Sequence, residues 1–481
     1  MAIMLETRSA AGKAPSYVRT QSWQFLSSLP VDRKLYRFDI AGSIAHVKML
    51  GAVGILTGQE TETLTDSLKR VCGEIEDGLF EWREDLEDVH TNIEVRLTEL
   101  LGPLGAKVHT ARSRNDQIAL DERLYLREAI CTVQQRLLQL QLTILRLAED
   151  YVETLMPGYT HMQRAQPVTL AHHLLAHFWR LARDFKRLSD CFHRADVSPL
   201  GAGALAGSTL PIDPELTARL LGFRSSFENS MDAVSDRDYF AEFLFDLSLI
   251  SVHLSSVGEE IVLWATTEFA FIRPTSELGS GSSLMPQKRN PDVAELARAK
   301  GARVQGDLMS LLTTLKSLPL SYNRDLQEDK APVFDGVARV LDTLEAIDKA
   351  LSSAEFDVDR MARAANDLSI LATDLAEYLV AHGIPFRDAH ETVADYMKES
   401  GGKISAKSLQ EYSTRFGADV KDILDARTSL SRRRTPGGPS PEAVLSQLTL
   451  ARDDLGLGQW TLSKRFEIVD TAEQLLKEEL K

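Results

Sequence analysis

Apolar residues recur in alternating steps of three and four along several long stretches of the chain. Four such stripes run over 126–151, 170–192, 240–264 and 304–318, and prolines are absent from the interior of the first three. This spacing is typical of helices packed nearly parallel to one another. Strand-like alternation is scarce, so the sequence predicts an all-α protein built around a bundle of long helices.

Further apolar residues, such as Leu138, Leu142 and Phe245, lie off the stripes. Helices of this kind are expected to bury more than one face, which indicates association between subunits. We predict an N-terminal helical domain over 1–113, a central helix-bundle domain over 114–362 and a C-terminal helical domain over 363–481. The breaker-rich stretch 431–441 is predicted to be a loop.

Composition narrows the classes of function. The net charge of −15 over 481 residues argues against binding to nucleic acid or to an anionic membrane, although a few converging cations could still hold an anionic substrate. Three widely separated cysteines favour a reducing compartment over a disulfide framework. The first residues lack the apolar core of a signal peptide, and no run of 18 apolar residues occurs. We therefore expect a cytoplasmic protein.

Polar clusters stand at the ends of the predicted helices. In HTARSRNDQ (109–117), two arginines precede the first long helix, with Ser113, Asn115 and Asp116 as possible caps. Guanidinium and amide donors beside a helix N-terminus suit a carboxylate or a phosphate, and helix capping with surface arginines fits equally well.

Two other polar segments allow a functional and a structural interpretation. GYTHMQRAQPVT (158–169) places His161 before a helix that we expect to begin at Pro167. This histidine is a candidate acid or base, although a structural histidine is the favoured interpretation on local sequence alone. LSYNRDLQEDK (320–330) is either a polar substrate-recognition segment or a connecting turn.

Three weaker patterns favour structural interpretations. His173 and His177 have a spacing that can bind zinc, but no partner set is visible, so packed histidines are favoured. GAGALAG (201–207) follows a helical stripe and lacks dinucleotide-binding spacing, which indicates a tight turn. The arginines at 432–434 are interpreted as a solvated loop, with an anion contact left open.

GSGSSLMPQKRNPD (279–292) is the most specific stretch. We expect Asn290 to cap a helix that begins at Pro291, with Asp292 in its first turn. A phosphate-binding loop is excluded because Lys288 is followed by arginine and not by serine or threonine. A mobile catalytic loop over 279–290, with a serine and a nearby lysine and amide, fits catalysis on a carboxylate substrate.

This stretch resembles the signature of the fumarase/aspartase superfamily, whose members release fumarate from succinyl compounds. Further segments resemble the argininosuccinate lyase family, which includes the δ-crystallins, and they are 87–97, 109–117, 158–177, 198–213, 232–244, 318–335 and 372–391. The resemblance implies three mostly helical domains and a homotetramer. Its central domains would form a 20-helix bundle, with each active site built from three subunits.

The resemblance also implies a reaction, the reversible elimination of fumarate from argininosuccinate to leave arginine, which belongs to arginine biosynthesis. By matching position, Ser282 would take the proton, while Lys288 and Asn290 would stabilise the aci-carboxylate intermediate. His161 would assist protonation of the leaving guanidinium, and Glu295 would orient that histidine. The assignment of proton donor and acceptor rests on the family.

The remaining site residues also follow from matching positions, and the resemblance implies no metal or organic cofactor. The residues that would bind carboxylates are Ser28, Arg114, Asn115 and Thr160. The residues that would hold the arginine end are Tyr322, Gln327 and Lys330. Two alternatives are a lyase for another N-substituted aspartate and a catalytically silent, crystallin-like homologue. The joint presence of the four catalytic residues argues against silence.

Overall fold

The computed structural model describes residues 23–477, and helices dominate it, so the all-α prediction is confirmed. The α-helices are α1 (Trp23–Leu26), α2 (Leu29–Asp32), α3 (Tyr36–Ala52), α4 (Gly58–Glu76), α5 (Val89–Leu101), α6 (Arg114–Asp150), α7 (Leu170–Ala195), α8 (Pro214–Leu220), α9 (Ser230–Ala233), α10 (Asp238–Ala265), α11 (Asp292–Leu315), α12 (Lys330–Ser352), α13 (Val358–Ala365), α14 (Ala372–Ala381), α15 (Phe386–Glu399), α16 (Ala406–Tyr412), α17 (Ala426–Arg432) and α18 (Pro441–Lys477). Short 3₁₀ helices occupy Arg33–Leu35, Gly102–His109, Arg324–Glu328, Leu368–Leu371 and Ala418–Ile423.

The few strands form three two-stranded pairings. They are β1 (Leu155–Thr160) with β2 (Gln163–Thr169), β3 (Val197–Ser198) with β4 (Ser225–Ser226), and β5 (Ile272–Arg273) with β6 (Glu355–Phe356). The β3–β4 pair is parallel and the other two are antiparallel. None of the three forms a layer of the fold, because each has only two strands.

Five long helices, α6, α7, α10, α11 and α12, pack side by side as the central bundle. The predicted stripes supply its core: Leu126, Ile130 and Val133 of α6 are fully buried against residues such as Phe178 of α7 and Phe243 of α10. Helix α10 is at the centre, in contact with α7, α11 and α12. By length and composition alone it could cross a membrane, but 56% of its most apolar stretch is buried within this bundle.

Smaller units flank the bundle on both sides. Helices α3, α4 and α5 form a second core that continues onto the first turns of α6. Helices α14 to α16 enclose a separate core around Leu379, Tyr396 and Val420. The last described helix, α18, runs along the bundle and packs on α6, α7 and α3, so this helix is part of the bundle wall.

The hairpin formed by β1 and β2 corrects one sequence-based expectation. Pro167 does not open a helix, because it lies in β2 opposite Pro157. Neither proline has an N–H group to donate, and the register of the ladder shifts directly beside them. Helix α7 begins at Leu170, where the Thr169 hydroxyl accepts a hydrogen bond of 3.0 Å from the backbone N–H of His172.

The start of α11 corrects a second expectation. The helix begins at Asp292, with Pro291 at the N-cap position and without a side-chain cap, so Asn290 does not cap it. Instead, Asp292 Oδ2 accepts a hydrogen bond of 2.8 Å from the backbone N–H of Ser280. This contact ties the first turn of the helix back to the preceding loop. The backbone N–H of Val293 donates to the Leu278 carbonyl at 3.2 Å, so one N–H of the first turn is satisfied without a side-chain cap.

We expect Gly258→Ala to destabilise the bundle. A Cβ at Gly258 would lie 2.7 Å from the carbonyl oxygen of Ala294, so α10 and α11 would have to separate, at a cost of about 1–3 kcal/mol. Gly73→Ala in α4 is the matched control, because a Cβ there meets nothing within 4 Å and should stabilise by about 0.5–1 kcal/mol. Urea unfolding followed by circular dichroism measures both. Equal midpoints for the two variants would contradict the packing.

Candidate functional site

A cavity of about 330 Å³ opens where the N-terminal unit meets one end of the central bundle. We call it the first cavity. Its walls come from the segment before α2, the start of α5, the first turns of α6 and the segment before α12. Six of the predicted site residues line it, namely Ser28, Arg114, Asn115, Tyr322, Gln327 and Lys330. The structure therefore brings together residues as far apart in the sequence as Ser28 and Lys330.

Helix capping fixes the arginine and the asparagine of the first cavity. The Ser113 hydroxyl accepts from the Asn115 N–H at 3.2 Å, while the Ser113 N–H donates to Asp116 Oδ1 at 2.9 Å. The other Asp116 oxygen accepts from the N–H groups of Gly201 and Gly203 at 3.1 and 2.9 Å. The predicted tight turn at 201–207 is thus fastened to the site, and burial raises the pKa of Asp116 to about 6.

Lys330 belongs to a buried cluster of four charges. Its Nζ lies 2.9 Å from Asp329 Oδ1 and 3.4 Å from Glu122 Oε1. The Nε of Arg237 lies 2.7 Å from Asp329 and 2.8 Å from Glu122. None of the four side chains is more than 4% exposed. Two cations and two carboxylates balance, so the cluster carries no net charge when all four are ionised.

The cluster keeps Lys330 charged in a buried position. Burial alone would lower the pKa of Lys330, but the carboxylates of Asp329 and Glu122 outweigh it and raise that pKa. Burial is the largest effect on Glu122 and raises its pKa to about 7. Tyr239 Oη donates a further hydrogen bond of 3.0 Å to Glu122. The ammonium group of Lys330 is therefore held as a fixed cation at the wall of the first cavity.

Sequence reasoning missed Glu122 and Arg237, although the sequence contains a signal for both. Glu122 precedes Leu126 by four positions and Arg237 precedes Phe240 by three, so each continues an apolar stripe of a long helix. A charged residue at such a position must be paired, because an unpaired charge in a helix seam is strongly unfavourable. The two residues are of opposite sign, which points to mutual pairing.

The first cavity also presents carboxylates that the sequence analysis did not assign. Asp32 accepts a hydrogen bond from the Ser28 hydroxyl, and Glu87 pairs with Arg324. His90 lines the same wall, 2.8 Å from the buried Asp39; burial lowers the pKa of His90, but Asp39 outweighs it and raises the value. A cavity with both cationic and anionic groups can hold a ligand that carries carboxylate and cationic groups together.

Thr160 and His161 lie elsewhere, at the tip of the β1–β2 hairpin. The register pairs Thr160 with Gln163, so His161 and Met162 form a two-residue turn with φ of 52° and 60°. Turns of this kind favour asparagine and glycine. A bulky residue in the left-handed region of positive φ has a conformational cost of roughly 1–3 kcal/mol. The strained histidine is exposed, and it lines a second cavity of about 420 Å³ with His172, His173 and Trp264.

Ser282, Lys288 and Asn290 lie on the loop over 279–291, which we call the signature loop. The loop folds back on itself: the Ser282 N–H donates to the Lys288 carbonyl at 3.2 Å and the Asn290 N–H donates to the Ser280 carbonyl at 2.9 Å. The Ser282 hydroxyl oxygen accepts from the backbone N–H groups of Leu284 and Met285, at 3.2 and 2.9 Å. Lys288 extends into solvent.

The bundle separates these groups within one chain. Helix α11 connects the signature loop to the segment 320–330, and its 24 residues span about 36 Å. Helix α6, with 37 residues, likewise separates Arg114 from the His161 hairpin by about 55 Å. Glu295 is exposed on the first turn of α11, and no hydrogen bond between described residues joins it to His161. One chain therefore gathers six predicted residues in the first cavity and leaves the other six at the far end of the bundle.

Comparison with known proteins gives the family. A family profile described as lyase matches residues 11–306, and one described as argininosuccinate lyase C-terminal matches 369–431. The argininosuccinate lyase of Pelotomaculum thermopropionicum is 51% identical over 437 residues, which cover 90% of this chain and 95% of that protein. The chain belongs to the argininosuccinate lyase family. The enzyme of Symbiobacterium thermophilum is 48% identical over the same shares of the two chains.

Solved structures of the superfamily share the architecture of this family member. The structure described as EDDS lyase in complex with formate superposes with a TM-score of 0.84 at 28% identity, covering 96% of this chain and 95% of that one. Class II fumarase from Schistosoma mansoni superposes with a TM-score of 0.73 at 14% identity, covering 86% and 93%. At that identity the fumarase supports the fold alone, and it agrees with the helical bundle described above.

We expect Lys330→Met to destabilise the protein by about 3–5 kcal/mol. The substitution leaves the cluster with one cation for two buried carboxylates, and breaking a buried pair by removing one partner has this cost. Lys349→Met is the control, because Lys349 and its partner Glu345 are exposed and the pair should contribute nothing measurable. Urea unfolding measures both variants. A loss for Lys330→Met no larger than that of the control would contradict the cluster.

Proposed function

We propose that the chain catalyses the reversible cleavage of argininosuccinate into arginine and fumarate. The observation that carries the proposal is the first cavity of this family member, where Arg114 and Asn115 face Tyr322, Gln327 and Lys330 across one space. Argininosuccinate carries carboxylates along with a guanidinium and an ammonium group. The mixture of cationic, amide and carboxylate side chains in that cavity suits such a ligand.

Ser282 is proposed as the base that removes the proton next to the succinyl carboxylate. This proton is weakly acidic, and its removal leaves an aci-carboxylate with two developing negative charges, so the site must stabilise both the intermediate and the deprotonated serine. Two backbone N–H groups already donate to the Ser282 oxygen, where charge would develop on deprotonation. Lys288 and Asn290 are the proposed donors to the intermediate. Closure of the signature loop over the substrate would bring them into place.

His161 is proposed to assist protonation of the leaving guanidinium, with Glu295 as its orienting partner and Thr160 as a carboxylate contact. The strained turn at His161 and Met162 supports this role, because backbone strain in a non-glycine residue persists only where the surroundings hold it and is frequent at functional sites. The exposed His161 ring is free to reach a ligand at the hairpin tip. These steps use side chains of the chain and require no organic cofactor.

We propose a homotetramer in which different subunits supply the two ends of each active site. Helix α11, about 36 Å long, separates the first cavity from the signature loop, and helix α6, about 55 Å long, separates it from the hairpin. Both lengths are far greater than that of an amino-acid-sized substrate. Exposed apolar side chains on α10 and α11 supply a face for neighbouring subunits, and these are Phe245, Val252, Leu296, Met309 and Leu312. Packing of such faces would produce the 20-helix bundle.

The proposal extends to domain organisation and location. We propose domains over 1–113, 114–362 and 363–481, with α18 of the last one packed on the central bundle. The low cysteine content and the three buried, unpaired thiols at Cys72, Cys131 and Cys191 support a location in the cytoplasm.

A second candidate reaction is the cleavage of another N-substituted aspartate. The superposition with EDDS lyase favours it, because that structure matches the bundle and both flanking units over almost the whole chain. The proton abstraction would be the same in both reactions. The difference would lie in the residues that hold the leaving amine, chiefly Tyr322, Gln327 and Lys330.

Incubation of the purified protein with argininosuccinate should release fumarate, followed by its ultraviolet absorbance. Ser282→Ala should slow this turnover by about 10²–10⁴-fold, because it removes the proposed base. Ser283→Ala is the matched control on the neighbouring position and should stay within an order of magnitude of the unmodified protein. Circular dichroism and light scattering would check that both variants keep the fold and the oligomer.

Three outcomes would each overturn part of the proposal. Turnover of ethylenediamine-disuccinate without turnover of argininosuccinate would replace the substrate by the second candidate. Turnover of Ser282→Ala equal to that of Ser283→Ala would remove Ser282 from the role of base. Absence of fumarate from every N-substituted aspartate tested would support the silent homologue.

A further inference from the structure

Helices α7 and α10 bring three potential metal ligands to one point. His173 and His177 are one turn apart on α7, and Glu260 of α10 lies opposite them. Glu260 Oε2 is 2.6 Å from His173 Nε2 and 2.8 Å from His177 Nε2. The sequence favoured packed histidines because no third ligand was visible, and the fold supplies that ligand from a residue 83 positions beyond His177.

We propose that His173, His177 and Glu260 form a binding site for a divalent transition metal, with Zn²⁺ as the best-fitting ion. Two imidazoles and one carboxylate are a zinc donor set in which a fourth position stays open. The second cavity, which His173 and Glu260 help to line, supplies the space for a water or a ligand at that position. The proposal is independent of the lyase reaction, whose proposed steps use none of these three residues.

Only side-chain movement is needed to admit the ion. Zinc bonds of roughly 2.0–2.2 Å in tetrahedral geometry place ligand atoms about 3.3 Å apart. The two N–O distances are 2.6 and 2.8 Å, so each imidazole would move away from Glu260 by less than about 1 Å. His173 and Glu260 are partly exposed and can make this adjustment, while His177 is held deeper in the bundle.

The linings of the two adjacent cavities favour a cation beside the Glu260 carboxylate. Among the described residues, neither of the cavities beside the cluster is lined by a lysine or an arginine that would compete for it.

Aromatic and aliphatic neighbours complete the surroundings. The Trp264 ring lies against His173 with ring centroids 4.9 Å apart, and Val257 and Ile261 flank Glu260 on α10. His172, the adjacent histidine, also lines the second cavity. A pocket with two imidazoles, one carboxylate and apolar walls suits a borderline ion such as Zn²⁺ better than Mg²⁺ or Ca²⁺.

The test is metal binding to the full-length protein after it has been stripped with a chelator. Titration with Zn²⁺, followed by calorimetry, should give one ion per chain at this site, and Co²⁺ should give the intense visible absorption of a four-coordinate centre. Glu260→Gln and His177→Gln should each weaken Zn²⁺ binding at least 10-fold, because each removes one ligand.

Matched controls lie on the same two helices. Glu259→Gln changes the adjacent glutamate, which pairs with Arg298, and His193→Gln changes an exposed histidine near the end of α7. Both should bind Zn²⁺ as the unmodified protein does. His173→Gln provides a second ligand variant if Glu260→Gln does not fold, as judged by circular dichroism. Absence of stoichiometric Zn²⁺ binding, or equal affinity in ligand and control variants, would overturn the proposal.

Discussion

The buried cluster of Glu122, Arg237, Asp329 and Lys330 is the interaction on which this end of the molecule depends. Its members lie in the N-terminal parts of three long helices: Glu122 is in the third turn of α6, Arg237 is at the N-cap of α10, and Asp329 and Lys330 are at the start of α12. The N-terminal parts of these helices are thereby fixed to one another by charges that are inaccessible to water. Such a cluster is stable only when complete, because each unpaired member would be a buried charge.

The buried charge cluster also fixes part of the wall of the first cavity. Lys330 is at once a member of the cluster and a wall of the cavity, and the capping box at Ser113 sets Arg114 and Asn115 on the next wall. The remaining candidate groups are separated from it by the length of the bundle. Long helices that give the fold its rigidity therefore also prevent a single chain from completing the proposed site, and association becomes a requirement of the proposed chemistry.

Much of this molecule follows from the sequence because it depends on local periodicity and local capping. The 3–4 spacing from Leu126 onward predicts α6, and Ser113 with Asp116 predicts where it begins. Two local predictions were wrong because contacts with another segment of the chain replaced the local role that the sequence indicated. Pro167 was predicted to be the first residue of a helix, but it lies in a strand opposite Pro157. Asn290 does not cap α11, where the Val293 N–H donates to the Leu278 carbonyl of the preceding loop instead.

Long-range partnerships were the hardest part to predict. Nothing beside HHLLAH in the sequence indicates Glu260, and nothing beside Asp329 indicates Arg237, because such contacts depend on how the helices pack. The grouping of Ser28 with Lys330 was expected only from family resemblance, since spacing alone gave no reason to join them. The strained turn at His161 likewise depends on the hairpin, which the scarce strand signals did not predict.

The central claim is that the two ends of each active site come from different chains. A subunit-mixing experiment tests this claim most directly. Asn115→Leu alters the first cavity and Ser282→Ala alters the signature loop, and each homogeneous variant should be inactive. Equal amounts of the two variants, dissociated and reassembled together, should regain activity at about a quarter of the sites. These are the sites that take an unmodified Asn115 from one chain and an unmodified Ser282 from another. A mixture no more active than its separate components would contradict the claim.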